Sequence, residues 1–263
     1  MIVIYHDNCW DGFGAAWVAH KIYPDATFIP AKYGDKPPDV TEQDVLMVDF
    51  SYPAGHMEEI ASKAAYLKVL DHHKTAQEIL KDKSYAIFDM NRSGAGLAWD
   101  ELIGKPRPLL IDFVEDRDLW RWKLKDSKEI SAVIASYPKE FEVWDKLAYA
   151  LDNNYFEAVK EGRAILRYTS QSTNEACLHH RILDIGGYKV PAVNTCLLMS
   201  EVGDILCRLY PDAPFAAYYF DREDGKRQWG LRSRGDFDVS EVAKELGGGG
   251  HKGAAGFIGE ING

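Results

Sequence analysis

The residues able to do chemistry gather at the ends of three apolar runs. Tyr66-Leu67-Lys68-Val69-Leu70 delivers Asp71-His72-His73, Met1-Ile2-Val3-Ile4-Tyr5 delivers His6-Asp7-Asn8-Cys9-Trp10-Asp11-Gly12, and Val45-Leu46-Met47-Val48 delivers Asp49-Phe50-Ser51. Short apolar runs of this kind read as buried strands, and the carboxyl ends of strands are where open α/β sheets hold ligands and catalytic groups. Aspartates and histidines crowded together repel or desolvate one another unless cations lie between them, so three such ends converging on one place point to a divalent metal centre. A histidine pair at one strand end is weak evidence by itself, because it could cap a helix. Its weight comes from His6, Asp11, Asp49, His72 and Asp116, which supply imidazole and carboxylate groups from four separate segments.

These groups need a scaffold, and the intervening sequence predicts one. Residues 13–22 carry apolar positions at helical spacing and end near Pro24, and residues 28–30 read as a short strand. Residues 53–64 predict a helix, 66–70 a strand, 76–80 a helix and 85–88 a further strand, an alternation that implies a mainly parallel sheet flanked by helices. Helices over 93–103 and 109–114 follow, separated by Gly104-Lys105-Pro106-Arg107-Pro108, and the second runs into Glu115-Asp116-Arg117-Asp118-Leu119-Trp120-Arg121-Trp122. Residues 141–177 are helical in pattern almost throughout. Beyond them come a hairpin turning at Gly186-Gly187, a helix over 200–209, strands over 215–220 and 228–233, a helix over 239–246 and the run Gly247-Gly248-Gly249-Gly250-His251. The expected organisation is therefore an α/β domain over 1–140, a helical connector over 141–179 and a smaller α+β domain over 180–263.

At 263 residues and 46% hydrophobic, the chain can bury two modest cores. It has no apolar stretch of membrane-spanning length and begins directly with a strand, which predicts a soluble, cytoplasmic protein without a membrane partner. Cys9, Cys177, Cys196 and Cys207 form no CxxC pair and no disulfide framework. The formal charge of −10 argues against a groove for long duplex nucleic acid, which needs a basic stripe, but leaves room for a short phosphorylated substrate held by a few local cations.

His6, Asp11, Asp49, Asp71-His72-His73 and Asp116 resemble the motifs of the DHH phosphoesterase superfamily, and the glycine run ending in His251 resembles its DHHA1 substrate-binding domain; the match spans nearly the whole chain in the right order. Oligoribonucleases and RecJ-like phosphodiesterases are the members in view. The resemblance implies two divalent cations, Mn²⁺ first and Mg²⁺, Co²⁺, Fe²⁺ or Zn²⁺ as alternatives. His6 and Asp49 would hold one, and Asp11, Asp49, His72 and Asp116 the other, with Asp49 as the bridge. His73 would face the substrate phosphate and Asp71 would orient the imidazoles. Asp116 is preferred to Asp118 because Phe113-Val114-Glu115-Asp116 fits the family's fourth motif. Arg232, Arg234, Gly248, Gly249, Gly250 and His251 would hold the substrate across an interdomain cleft. The implied activity is a metal-dependent phosphodiesterase that hydrolyses short oligonucleotides or linear dinucleotides to mononucleotides. Cyclic dinucleotides, nucleoside bisphosphates and polyphosphate are alternative substrates, and a non-catalytic nucleotide-binding module is the competing class. Oligomeric state, monomer or homodimer, stays open.

One position departs from the family pattern. The first motif usually reads His-x-x-x-Asp-x-Asp, whereas the residue two before Asp11 is Cys9, and His6 stands one position nearer. A soft thiolate at a site with His6 and Asp49 would favour Zn²⁺, Fe²⁺ or Co²⁺; alternatively Cys9 is a buried packing thiol, and Asp7 or Asn8 fills the gap. Trp120 and Trp122 read as core or interface packing rather than as platforms for bases.

Overall fold

The computed structural model describes residues 1–7, 9–104 and 106–261; Asn8, one candidate for the gap in the first motif, lies outside them. The chain divides into two compact units, residues 1–166 and 167–263.

The first unit opens with β1 (Ile2–His6), α1 (Trp10–Ile22), β2 (Thr27–Ala31), β3 (Asp44–Val48), α2 (Ala54–Lys63), β4 (Tyr66–Asp71), α3 (Lys74–Leu80) and β5 (Ala86–Phe88). These strands form one parallel sheet in the order β2-β1-β3-β4-β5. Alternate residues feed two cores: Val3, Leu46, Val48 and Leu70 on one face, Ile4, Val45, Met47 and Val69 on the other. Burial on both faces is what turns these strands into nearly continuous apolar runs. α1 packs on the first face, α2 and α3 on the second. The winding therefore reverses between β1 and β3, and the carboxyl ends of those neighbours flank the crevice that such a reversal opens.

Next come α4 (Gly94–Leu102), α5 (Leu109–Asp118), α6 (Ser127–Ser136), α7 (Phe141–Asn153) and α8 (Tyr155–Leu178), the last of which contains the division between the units. The sequence reading ended the fifth helix at residue 114, but α5 continues to Asp118 because its charged turn finds partners in the fold. It also overlooked α6, whose Ile130, Val133 and Ile134 join the first core. α7 sends Trp144, Leu147 and Leu151 into that same core. α1 is buried nearly all round, and its small residues permit this: a Cβ on Gly14 would lie 3.0 Å from Ala95 Cβ of α4. Gly12 is more constrained still, because a Cβ there would overlap the His6 carbonyl oxygen.

The second unit contains β6 (Arg181–Ile185), β7 (Tyr188–Asn194), α9 (Met199–Leu209), β8 (Ala216–Asp221), β9 (Lys226–Arg232), α10 (Val239–Glu245), β10 (Gly249–His251) and β11 (Ala254–Glu260). Its sheet runs β10-β11-β9-β8-β7-β6, antiparallel except for β7 beside β8. The expected hairpin turns at Gly186 and Gly187, both at positive φ. α10 covers one face through Val239, Val242 and Ala243, and α9 the other through Val202 and Leu206. The glycine run leaves α10 through Gly247 (φ 83°) and becomes the edge strand β10. A Cβ on Gly248 would overlap the Gly256 carbonyl, and one on Gly250 would lie 2.6 Å from Ala255 Cα, so these glycines let the edge strand close on β11. Among the described residues no helix is long and apolar enough to cross a membrane.

Gly12→Ala tests the tight β1–α1 junction. Overpacking against the His6 carbonyl should cost about 1–3 kcal/mol, read as a lower urea midpoint at unchanged m-value.

Candidate metal centre

Asp49 follows β3 directly and takes a φ of 56°, an uncommon backbone for a residue with a side chain. Its N–H donates to Leu70 O at 2.8 Å, and Gly94 packs so closely that a Cβ there would overlap Asp49 Cβ. The carboxylate, 1% exposed as a residue, is thereby turned towards the neighbouring strand ends. Oδ2 lies 3.5 Å from His6 Nδ1 and accepts from Cys9 Sγ at 3.4 Å; Oδ1 lies 3.0 Å from His72 Nε2. That same Nε2 is 3.4 Å from Asp11 Oδ2 and 3.6 Å from Asp118 Oδ2. Asp49 thus touches two donor groups, His6 with Cys9 and Asp11 with His72 and Asp118, each with its ligand atoms close enough to share one ion.

Asp11 is held by the first turn of α4. Its carboxylate accepts from Gly94 N at 2.6 Å and Ala95 N at 2.9 Å, donors left unpaired by the start of that helix. Ser93 caps the helix by accepting from Gly96 N, and Ser93 N itself donates to Glu115 Oε2 at 3.2 Å. Glu115 is buried and also meets Arg92 at 3.1 Å and Arg107 at 3.2 Å. A buried ion network therefore fixes the helix start that fixes Asp11. Asp71, fully buried, accepts from His72 N at 2.7 Å, His73 N at 3.1 Å, His73 Nδ1 at 2.7 Å and Ser51 Oγ at 2.6 Å. Those bonds set the turn that sends His72 into the cluster and place His73 Nδ1 4.0 Å from Asp49 Oδ1. Ser51, the Gly94 and Ala95 amides and Glu115 escaped the sequence reading, since backbone donors and distant ion partners leave no spacing signal.

The structure brings Asp118, not Asp116, to His72. Asp116 lies on another side of α5, where its carboxylate accepts from Lys123 N at 3.0 Å, Leu124 N at 3.3 Å and Ser127 Oγ at 2.6 Å. Two residues along a helix turn a side chain by roughly 200°, so only one of the pair can face the strands, and here that one is Asp118. Asp7 pairs with Lys32 at 2.9 Å instead of filling the first motif. Cys9 is the N-cap of α1, accepting from Gly12 N at 3.0 Å, with Sγ 3.7 Å from His6 Nδ1. It combines the role of a cap with a place among the ligand candidates.

The donor set fits divalent cations. One imidazole nitrogen faces three carboxylates, more than a single N–H can satisfy. Burial and the neighbouring Asp49 and Asp118 charges push the Asp11 carboxyl well above its ordinary range. Burial likewise raises Asp118, whose side chain is 29% exposed, against the opposing pull of His72. Burial and the Asp49 charge raise the Cys9 thiol. Burial would lower His72, but the hydrogen bond to Asp49 and the surrounding carboxylates hold its pKa well above normal. Asp49 moves the other way: hydrogen bonds from His6 and His72 outweigh burial and keep it well below the usual carboxylate range. Such opposed shifts mark a site whose charges suit a bound cation.

In the second unit Arg232 is buried on β9, and burial pushes its guanidinium pKa down. Arg234 is exposed and pairs with Asp204 at 3.1 Å, while Gly249, Gly250 and His251 form β10.

Residues 199–262 match the family model of the DHHA1 domain. The chain carries a DHHA1 domain. The match lies within the second unit, and the Asp71-His72-His73 strand end of the first unit lies outside it. An uncharacterized protein of Acanthamoeba polyphaga mimivirus is 28% identical over 291 residues, covering 97% of this chain and 66% of that protein, so the chain spans just under two thirds of its length. The pGpG-specific phosphodiesterase PggH of Vibrio cholerae shares the fold, with a TM-score of 0.52 at 14% identity over 99% of this chain and 94% of that one. Exonuclease RecJ bound to manganese aligns with a TM-score of 0.49 at 17% identity over 98% and 86% of the two chains.

Two variants separate the acids of α5. Asp118→Asn should lower Mn²⁺ affinity at least about tenfold in calorimetry. Asp116→Asn should keep the affinity but cost about 1.5–3 kcal/mol in urea unfolding, because an amide N–H₂ would face backbone N–H donors. Metal affinity should also rise with pH. Asp11, Asp118, His72 and Cys9 hold protons to higher pH than usual, and each proton a metal must displace adds about tenfold per pH unit. Calorimetry in buffers of different ionisation enthalpy should report net proton release.

Proposed function

We propose that the chain is a divalent-metal-dependent phosphodiesterase acting on short oligonucleotides or linear dinucleotides. The observation that carries this reading is Asp49 shared between two donor groups at the switch point of a parallel sheet. The shared fold with PggH, a phosphodiesterase named for the dinucleotide pGpG, supports it. His6, Cys9 and Asp49 would hold one cation, and Asp11, Asp49, His72 and Asp118 a second. Cations there would supply Lewis-acid charge to a phosphoryl group and lower the pKa of water.

The chain's own groups define the rest of the task. Asp49 carries the separation between the two donor groups, held by its N–H bond to Leu70 O and by the close packing of Gly94. His73, hydrogen bonded to Asp71 through Nδ1, presents its other edge as a proton donor or positive group for a phosphate oxygen. Burial by itself would lower the His73 pKa, but the Asp71 carboxylate outweighs burial and raises it, favouring the donor form. In the DHHA1 domain, Arg232, Arg234, Gly248, Gly249, Gly250 and His251 are the groups proposed to hold the nucleotide. An anionic ligand would offset the cost of burying the Arg232 charge.

A Mn²⁺-supplemented screen of di- to pentanucleotides, cyclic dinucleotides, nucleoside bisphosphates and polyphosphate, read by product identity, tests the reading. Mononucleotides from the linear substrates are expected; no metal-dependent turnover of any phosphodiester would sink it. Asp49→Asn should lower kcat by about 10²–10³-fold or more while the protein stays folded. Cys9→Asp keeps a side chain able to cap α1 and should shift metal preference towards Mn²⁺ and Mg²⁺, since hard oxygen replaces soft sulfur. An unchanged metal profile would leave Cys9 as a cap alone.

A further inference from the structure

Between α5 and α6 the chain makes a tight excursion in which Trp120, Trp122 and Asp126 take φ values of 53°, 53° and 55°. Left-handed backbone is unfavourable for side chains as bulky as indole, and a protein keeps it only where surrounding bonds over-determine it. Here they do. The Asp116 carboxylate takes Lys123 N, Leu124 N and Ser127 Oγ, its carbonyl takes Arg121 N at 2.9 Å, and the Tyr155 hydroxyl donates to Lys125 O at 2.8 Å. What this rigid turn presents is specific in chemistry. Trp120 and Trp122 are half-buried and meet edge to face at 5.0 Å, while Arg121, Lys123, Lys125 and Lys128 are exposed, with the Lys128 ammonium 5.7 Å from the Trp122 ring. In a chain with a formal charge of −10, this is an aromatic and basic surface starting two residues after Asp118.

We propose that this turn seats a single-stranded nucleic-acid segment continuous with the phosphodiester at the metal centre. One base stacks on the Trp122 indole, and the adjoining phosphates pair with Lys123, Lys125 and Lys128. Interleaved indoles and cations suit a flexible strand with exposed bases, because a duplex hides the faces that would stack. The indoles are half-buried and join neither core of the first unit, and the buried Asp116 carboxylate spends its bonds holding the turn in place, so the ordering cost of a platform is met before a ligand arrives. The assignment rests on the phosphodiesterase reading for the continuity of the strand, and it adds a consequence. Affinity should grow from a dinucleotide to a longer oligomer.

Fluorescence anisotropy tests this on the full chain with 5′-fluorescein-labelled oligoadenylates, a dinucleotide and a decanucleotide, with Ca²⁺ replacing Mn²⁺ to slow hydrolysis. Trp122→Ala should weaken decanucleotide binding by about tenfold, and Trp122→Phe should recover most of it. Lys123→Gln/Lys125→Gln/Lys128→Gln, all surface changes, should flatten the dependence of log affinity on log salt by about two, at roughly 0.7 per lost phosphate contact on a single strand. Equal affinity for both lengths, wild-type binding and salt dependence in the lysine variant, or equal affinity for a duplex of the same length would overturn the inference. A wild-type protein that binds as expected but hydrolyses no phosphodiester in Mn²⁺ would keep the surface and remove the proposed activity. Turnover without any effect of Trp122 or the lysines on binding would do the reverse.

Discussion

Three carboxylates meet one imidazole nitrogen at the buried end of a parallel sheet, and keeping them there in the face of their repulsion is the constraint around which the first unit is built. Asp49 accepts an uncommon backbone conformation to point into the group. Asp11 is gripped by two amides at the start of α4, and His72 is aimed by a turn whose His72 and His73 amides and His73 Nδ1 are all held by Asp71. Gly12 and Gly94 lack side chains because any Cβ would displace the backbone of His6 or the side chain of Asp49. Three carboxylates around one buried imidazole are costly, and the proton uptake expected at Asp11 and His72 is the chain's own way of reducing that cost.

The support extends outward in layers. Glu115 holds Ser93, Ser93 caps α4, and α4 holds Asp11; Gly96 allows Glu115 to come close enough, since a Cβ there would overlap its carboxylate. Within four residues of α5, Glu115, Asp116 and Asp118 thus serve three different neighbours: the helix start behind the site, the turn beside it and the site itself. Helical rotation separates them, so residues adjacent in sequence become independent parts.

Cys9 shows how one atom can serve local structure and chemistry together. Its sulfur accepts from Gly12 N as an N-cap in place of the usual oxygen and also sits between His6 and Asp49. Softer than a carboxylate, the sulfur sets the group around His6 apart from the oxygen-rich group around Asp11.

Strand ends carrying His6, Asp49 and Asp71-His72-His73 were legible in the chain because burial on both faces writes parallel strands as apolar runs, and a carboxylate or imidazole just after such a run stands out. The helices over residues 13–22 and 93–103 and the hairpin at Gly186-Gly187 were legible for related local reasons of period and turn chemistry. Sequence alone could not choose between Asp116 and Asp118, because both lie in one charged turn and only the rotation of α5 against β4 decides which faces His72. Nor could it foresee Ser51, the α4 amides or Glu115, whose roles depend on contacts between segments far apart in the chain. The glycine run shows the same limit. Its composition suggested free amides for a phosphate, whereas pairing with β11 gave Gly248 and Gly250 a steric reason of their own. Local composition records what a residue can do; tertiary packing decides which partner it meets, since distance and direction between segments are set only when the cores close.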